Sequence, residues 1–179
     1  MSKVCQLFSG SSGNSILISS KGHNFLVDIG VSAKRCETAL LQHGIDPKSI
    51  DGIFITHEHN DHTSGLRVFA SRYNMPVFAA EACIDAMYAK DIINEKVHIE
   101  KMDYRMELGG VEIKAFSQSH DSADCVGYRL ELPNGKSVAV CTDTGYVTDN
   151  AKEICSGVDL IFAESNHETS MVETGPYPY

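Results

Sequence analysis

The stretch Thr56-His57-Glu58-His59-Asn60-Asp61-His62-Thr63 constrains this chain more than any other, because it directly follows the apolar run Ile53-Phe54-Ile55. Packing does not explain three histidines and an aspartate between positions 57 and 62. Imidazole is the commonest transition-metal ligand, and carboxylate oxygens complete such sites. Leaving a strand, His57 and His59 can aim the same way. Asp61 and His62 then lie in the following turn and face a second point. One short loop can therefore feed two adjacent metals, His57 and His59 to one, Asp61 and His62 to the other. A solvated loop capped by Asp61 or Thr63 ahead of a helix accounts for those two residues, but not for the histidines. The stretch reads as a metal site.

Around it the chain alternates strands and helices. Val4–Phe8 and Ile16–Ile18 are expected strands, joined by Ser9-Gly10-Ser11-Ser12-Gly13-Asn14-Ser15. That loop can let backbone N–H groups approach an anion, or can simply connect a hairpin. A strand from Asn24 ends at Asp28-Ile29-Gly30, and a helix from Ser32 to His43 stops at Gly44. Ile53–Ile55 reads as a strand covered on both faces. After the metal loop come a helix from Ser64 to Arg72 burying Leu66, Val68 and Phe69, a strand at Pro76–Ala79 and a helix from Glu81 to Lys90. The second half is richer in strands: Val97–Glu100, Tyr104–Leu108, Val111–Phe116, and a hairpin of Val126–Leu132 with Ser137–Thr142 about Pro133-Asn134-Gly135. A helix over Thr148–Cys155 and a buried strand over Val158–Ala163 follow. This order predicts an α/β layer structure, with no linker or repeat dividing residues 1–179.

Of the 179 residues, 42% are hydrophobic and 22% charged, which suits a single globular domain. No apolar run reaches the ~20 residues that span a bilayer, and no secretory signal is evident. The six cysteines form no C-x-x-C pair and read as reduced thiols. A cytoplasmic location is the expectation. The net charge of −9 argues against a broad basic surface that grips nucleic acid. It leaves room for a nucleic-acid enzyme, because bound cations would dominate the local field.

His120 and Asp143 repeat the arrangement of a ligand type just past an apolar strand. Alone, His120 reads as a surface histidine and Asp143 as a turn residue; together with the loop, their strand-end placement makes them candidate ligands. The His57-x-His59-x-Asp61-His62 pattern resembles that of the metallo-β-lactamase-fold hydrolases. The resemblance implies an αββα sandwich, with His57, His59 and His120 holding one metal, Asp61 and His62 the other, and Asp143 shared between them. It also implies that Asp28 supports the metal-binding loop by orienting its histidines. The family pattern requires a further histidine well downstream of Asp143, where only His167 occurs. Its neighbours Glu164-Ser165-Asn166 look like an earlier strand-end segment. The expectation is therefore a C-terminally truncated piece with the second half of the sandwich incomplete, His167 either filling the vacancy, contacting substrate, or lying on the surface.

Within the superfamily, Ser-Gly-Ser-Ser-Gly-Asn-Ser, His-Glu-His-x-Asp-His-Thr and Glu-Ser-Asn-His together are similar to the YycJ/WalJ group of small bacterial hydrolases. That similarity implies a DNA exonuclease using two divalent ions, zinc or manganese, on single-stranded DNA or another phosphodiester. Two ions about 3.5–4 Å apart can lower the pKa of a shared water and provide a hydroxide nucleophile. Asp61, His62 and Asp143 would then be catalytic, while Ser11, Ser12, Asn14 and His167 are candidate substrate contacts. A thioester or lactone hydrolase would use the same site, and a non-catalytic metal-binding fragment is the reading from a different class.

Overall fold

More than half of the buried apolar side chains sit on strands, and the strands collect into two sheets with helices outside them. The computed structural model describes residues 2–164. The first sheet runs β1 (Ser2–Phe8), β2 (Ser15–Ser20), β3 (His23–Val27), β4 (Ile50–Phe54), β5 (Val77–Ala79) and β6 (Ile99–Lys101), in that spatial order. Its first three strands are antiparallel, and β3 to β6 are parallel. Parallel neighbours need crossovers, supplied by α1 (Ala33–Gln42), α3 (Leu66–Tyr73) and α4 (Glu81–Ala89). The second sheet has the order β11 (Leu160–Ala163), β10 (Ser137–Cys141), β9 (Val126–Glu131), β8 (Val111–Ser117) and β7 (Arg105–Leu108), with α5 (Asp149–Cys155) beside it. The expected αββα layering is what forms.

Strand alternation sorts the side chains between two cores. Leu17, Leu26, Ile53 and Val77 face the helices and pack with Cys36, Leu40, Phe69, Cys83 and Met87. Ile16, Ile18, Phe25, Val27, Phe54 and Phe78 face the other sheet and meet Val111, Ile113, Tyr128, Leu130 and Val138. The inner strands of the first sheet are thus apolar on successive residues because both faces are covered. Phe54 stacks on Phe78 at 5.1 Å and meets the Tyr128 ring edge-on at 5.6 Å. The Tyr128 hydroxyl donates across the sandwich to the Ile55 carbonyl at 2.6 Å. The residue that leads into the metal loop is thereby tied to both sheets.

Three expectations about elements need correction. Val68 is 49% exposed; the inward face of α3 is carried by Leu66, Phe69 and Ala70. Leu160 and Ile161 are 41% and 47% exposed, because β11 is an edge strand here and is not buried. Part of the metal loop is itself helical: Asn60–Thr63 forms the one-turn helix α2. No described helix is long and apolar enough to cross a membrane.

Candidate metal centre

The centre forms where strands of both sheets end. β3 and β4 are paired so that Val27 lies beside Phe54, which brings Asp28 level with the start of the metal loop. Asp28 Oδ1 accepts from the Thr56 amide at 2.8 Å, and Oδ2 accepts from the Thr56 hydroxyl and from His62 Nδ1, each at 2.8 Å. Having donated to Asp28, the Thr56 hydroxyl is free to accept from His57 Nδ1, 3.0 Å away. This pattern places a proton on Nδ1 of both rings and turns their Nε2 atoms into the site. One carboxylate orients two candidate ligands, directly for His62 and through Thr56 for His57.

From the second sheet, His120 follows β8 and Asp143 follows β10. Ligand atoms of His57, His59 and His120 lie within 4.8 Å of one another, and so do those of His57, His62 and Asp143. His120 Nε2 is 3.2 Å from His59 Nδ1. Asp143 Oδ2 is 2.8 Å from His62 Nε2. Asp61 belongs to neither group of three, though its Oδ2 lies 3.5 Å from His62 Nε2. His57 and His62 form the floor, fully buried, while His59, Asp61, His120 and Asp143 are half-buried at the mouth. Asp28 and Asp143 both have left-handed backbones, with φ of 61° and 53°. Aspartate tolerates that conformation better than most residues.

The atoms fit a metal. His57 Nε2 is buried without a hydrogen-bond partner, an arrangement that costs free energy unless something else binds there. Burial, with the neighbouring His62 and His120 rings, brings the His57 pKa down to about 2, so this ring is a neutral ligand. Burial also opposes charge on His62, but Asp28 and Asp143 outweigh it and push that ring up to about 10. Burial works against the charge of Asp143, yet His62 holds its carboxyl well below the usual carboxylate range. These shifts agree on one point: positive charge is stabilised between His62 and Asp143. Imidazole and carboxylate donors together suit a divalent metal ion.

Of the candidate substrate contacts, Asn14 reaches the centre. Its Nδ2 is 3.1 Å from His62 Nε2 and 3.4 Å from Asp61 Oδ2, and its backbone pairs with Asp61 and Gly30. Ser11 and Ser12 are exposed on the turn that the Gly13 amide closes onto the Gly10 carbonyl. His167 lies outside the described residues. Sequence reasoning overlooked Thr56 and Glu164, whose carboxylate accepts from the Asp143 amide at 2.8 Å. A hydroxyl next to the first histidine and an acid just past a strand end were the available signals.

A profile described as the beta-lactamase superfamily domain matches residues 23–176. The chain is 35% identical over 175 residues to the exodeoxyribonuclease YycJ of Bacillus anthracis, covering 97% of this chain and 66% of that protein. It is 35% identical over 181 residues to the exodeoxyribonuclease WalJ of Streptococcus pneumoniae, covering 99% of this chain and 67% of that one. The chain thus spans about two thirds of the length of these relatives. A metallo-beta-lactamase of Cronobacter sakazakii shares the fold, with a TM-score of 0.70 at 18% identity over 89% of this chain and 76% of that one. With a profile match over most of its length, relatives at this identity and this arrangement of strands, the chain belongs to the beta-lactamase superfamily.

Proposed function

We propose that the chain is a divalent-metal-dependent hydrolase that cleaves phosphodiesters, an exonuclease acting on single-stranded DNA. The observation that carries this reading is the double convergence of ligand atoms on His57, whose Nε2 is buried and unpartnered. The exodeoxyribonuclease names of the two relatives support DNA as the substrate. His57, His59 and His120 would hold one ion, His62 and Asp61 the other, with Asp143 reaching between them. Bound there, the ions would supply Lewis acidity and an activated water. The protein's own contribution is rigid placement. Asp28 fixes the two floor rings, and the Asn14 amide at the mouth can donate to a phosphoryl oxygen. A cleft of about 410 Å³ lined by Gln6, Ser9, Asn14, Thr142 and Glu164 adjoins the centre and gives a strand room to lie. Ser11 and Ser12 are proposed contacts to the strand end.

The test is metal content per chain for wild type and Asp143→Asn, followed by digestion of end-labelled single-stranded DNA and of a thioester. Near two ions in wild type, fewer in the variant, and metal-dependent release of nucleotides are the expected results. Thioester cleavage without DNA digestion would transfer the same site to the other substrate class. Tight metal binding with neither activity would leave a binding module.

A further inference from the structure

Glu58 lies between His57 and His59 in sequence, is 3% exposed, and makes none of the ligand contacts described above. A buried carboxylate is expensive unless hydrogen-bonded and paired. Here it accepts from the Ala123 amide, at 3.1 Å to Oε1 and 3.4 Å to Oε2, and pairs with Lys90 Nζ at 3.0 Å. Ala123 belongs to the β8–β9 loop, which carries His120, and Lys90 caps the C-terminal end of α4. The loop's own closure is the Gln118 amide bonded to the Cys125 carbonyl at 2.8 Å. Between those two residues the loop is also tied to the segment after β10, by the Gly145 amide on the Ser119 carbonyl at 2.6 Å. Glu58 is the side-chain link from the metal loop to the backbone of that loop, beside the Val126 amide on the Thr56 carbonyl at 3.0 Å and the His120–His59 contact at 3.2 Å, and it acts three residues beyond His120.

We propose that Glu58 is a positioning residue: by holding the Ala123 amide, it sets His120 opposite His57 and His59 and so preassembles the three-histidine pocket. The Lys90 ammonium, on a half-exposed stem, pairs with the buried carboxylate at 3.0 Å and holds its rotamer toward the Ala123 amide. Rings that already stand 4.6 Å and 4.9 Å from His120 then need no loop ordering when an ion binds. The inference rests on the metal-centre reading, but not on the choice of substrate.

Glu58→Gln keeps a side-chain oxygen for Ala123, whereas Glu58→Ala removes it. Zinc affinity by competition with a chromophoric chelator, the visible spectrum of the cobalt-substituted protein and exchange of the Ala123 amide by NMR are read for wild type and both variants. Expected is a loss of about 10-fold or more in affinity for one ion in Glu58→Ala, the usual scale for a residue that orients ligands. With it go an altered cobalt spectrum and fast exchange at Ala123, while Glu58→Gln stays close to wild type. If Glu58→Ala fails to fold, Glu58→Leu in a Lys90→Met background removes the acceptor with no buried charge left unpaired; it should lose the slow Ala123 amide and weaken metal binding, and wild-type affinity in it would overturn the proposal. Equal affinity in Glu58→Ala and wild type would overturn the proposal, as would equal weakening in Glu58→Gln and Glu58→Ala. Absence of metal binding by wild type itself would remove the metal-centre reading, and the proposal with it.

Discussion

Asp28 shows how much of this centre depends on a single side chain that belongs to neither group of candidate ligands. Its two oxygens accept from Thr56 twice and from His62 once, which fixes two imidazole tautomers. Asp28→Asn isolates the carboxylate from the backbone, because asparagine tolerates the same left-handed φ. The expected outcome is a 10- to 100-fold loss of metal affinity with the fold intact, measured by chelator competition and far-UV circular dichroism. Unchanged affinity would show that the histidines are oriented without it. The metal loop itself was legible because its candidate ligands are close neighbours in sequence. The Asp28–Thr56 relay was only half legible, since it joins residues 28 apart through the β3–β4 register, which spacing alone does not specify. The thiols make a second prediction at this scale. Burial pushes Cys36 up to about 12 and Cys141 to about 11, and it raises Cys83 and Cys125 further. Ellman's reagent at pH 8 should therefore reach only the two partly exposed thiols, Cys5 and Cys155, in the native protein, and all six after denaturation. Rapid reaction of more than two native thiols would contradict the described core.

The elements position the centre by close backbone contact as well as by side chains. The turn after β3 runs directly beneath α2: a Cβ placed on Gly30 would stand 1.6 Å from the Asp61 carbonyl oxygen. Because that obstacle is backbone, Gly30→Ala must displace the metal loop or the turn. We expect a loss of about 2–3 kcal/mol in urea unfolding, the upper part of the overpacking range, together with weakened metal binding. Unchanged stability would mean the two segments are further apart than described. This contact has no counterpart in the sequence pattern, where Asp28-Ile29-Gly30 resembles any strand-ending turn. The same limit explains the exposure of Val68 and β11. Hydrophobicity marks a segment as a helix or strand, but only the tertiary arrangement decides which residues lie at an edge. The helical turn Asn60–Thr63 was missed for a related reason, since one polar turn carries no periodicity to read.

At the scale of the molecule, the centre joins the two halves of the sandwich. His57, His59, Asp61 and His62 come from the first sheet's side, while His120 and Asp143 come from the second. Unfolding separates these groups; His59 and His120, for example, are 61 residues apart in sequence. An ion held by both sides binds the folded state almost exclusively, so binding must raise stability by mass action. It also offsets part of the net charge of −9 where carboxylates crowd. At a free metal concentration 100 times the dissociation constant, the gain is about 2.7 kcal/mol. For a chain of this length that corresponds to a rise in Tm of roughly 5–10 °C. Calorimetry of chelator-treated protein, before and after adding zinc or manganese, measures it directly. His120→Ala, which removes a ligand from the second half, should shrink the rise, and Asp143→Asn should do the same. A Tm that ignores metal, or rises equally in both variants, would mean that ions bind away from the junction of the two sheets.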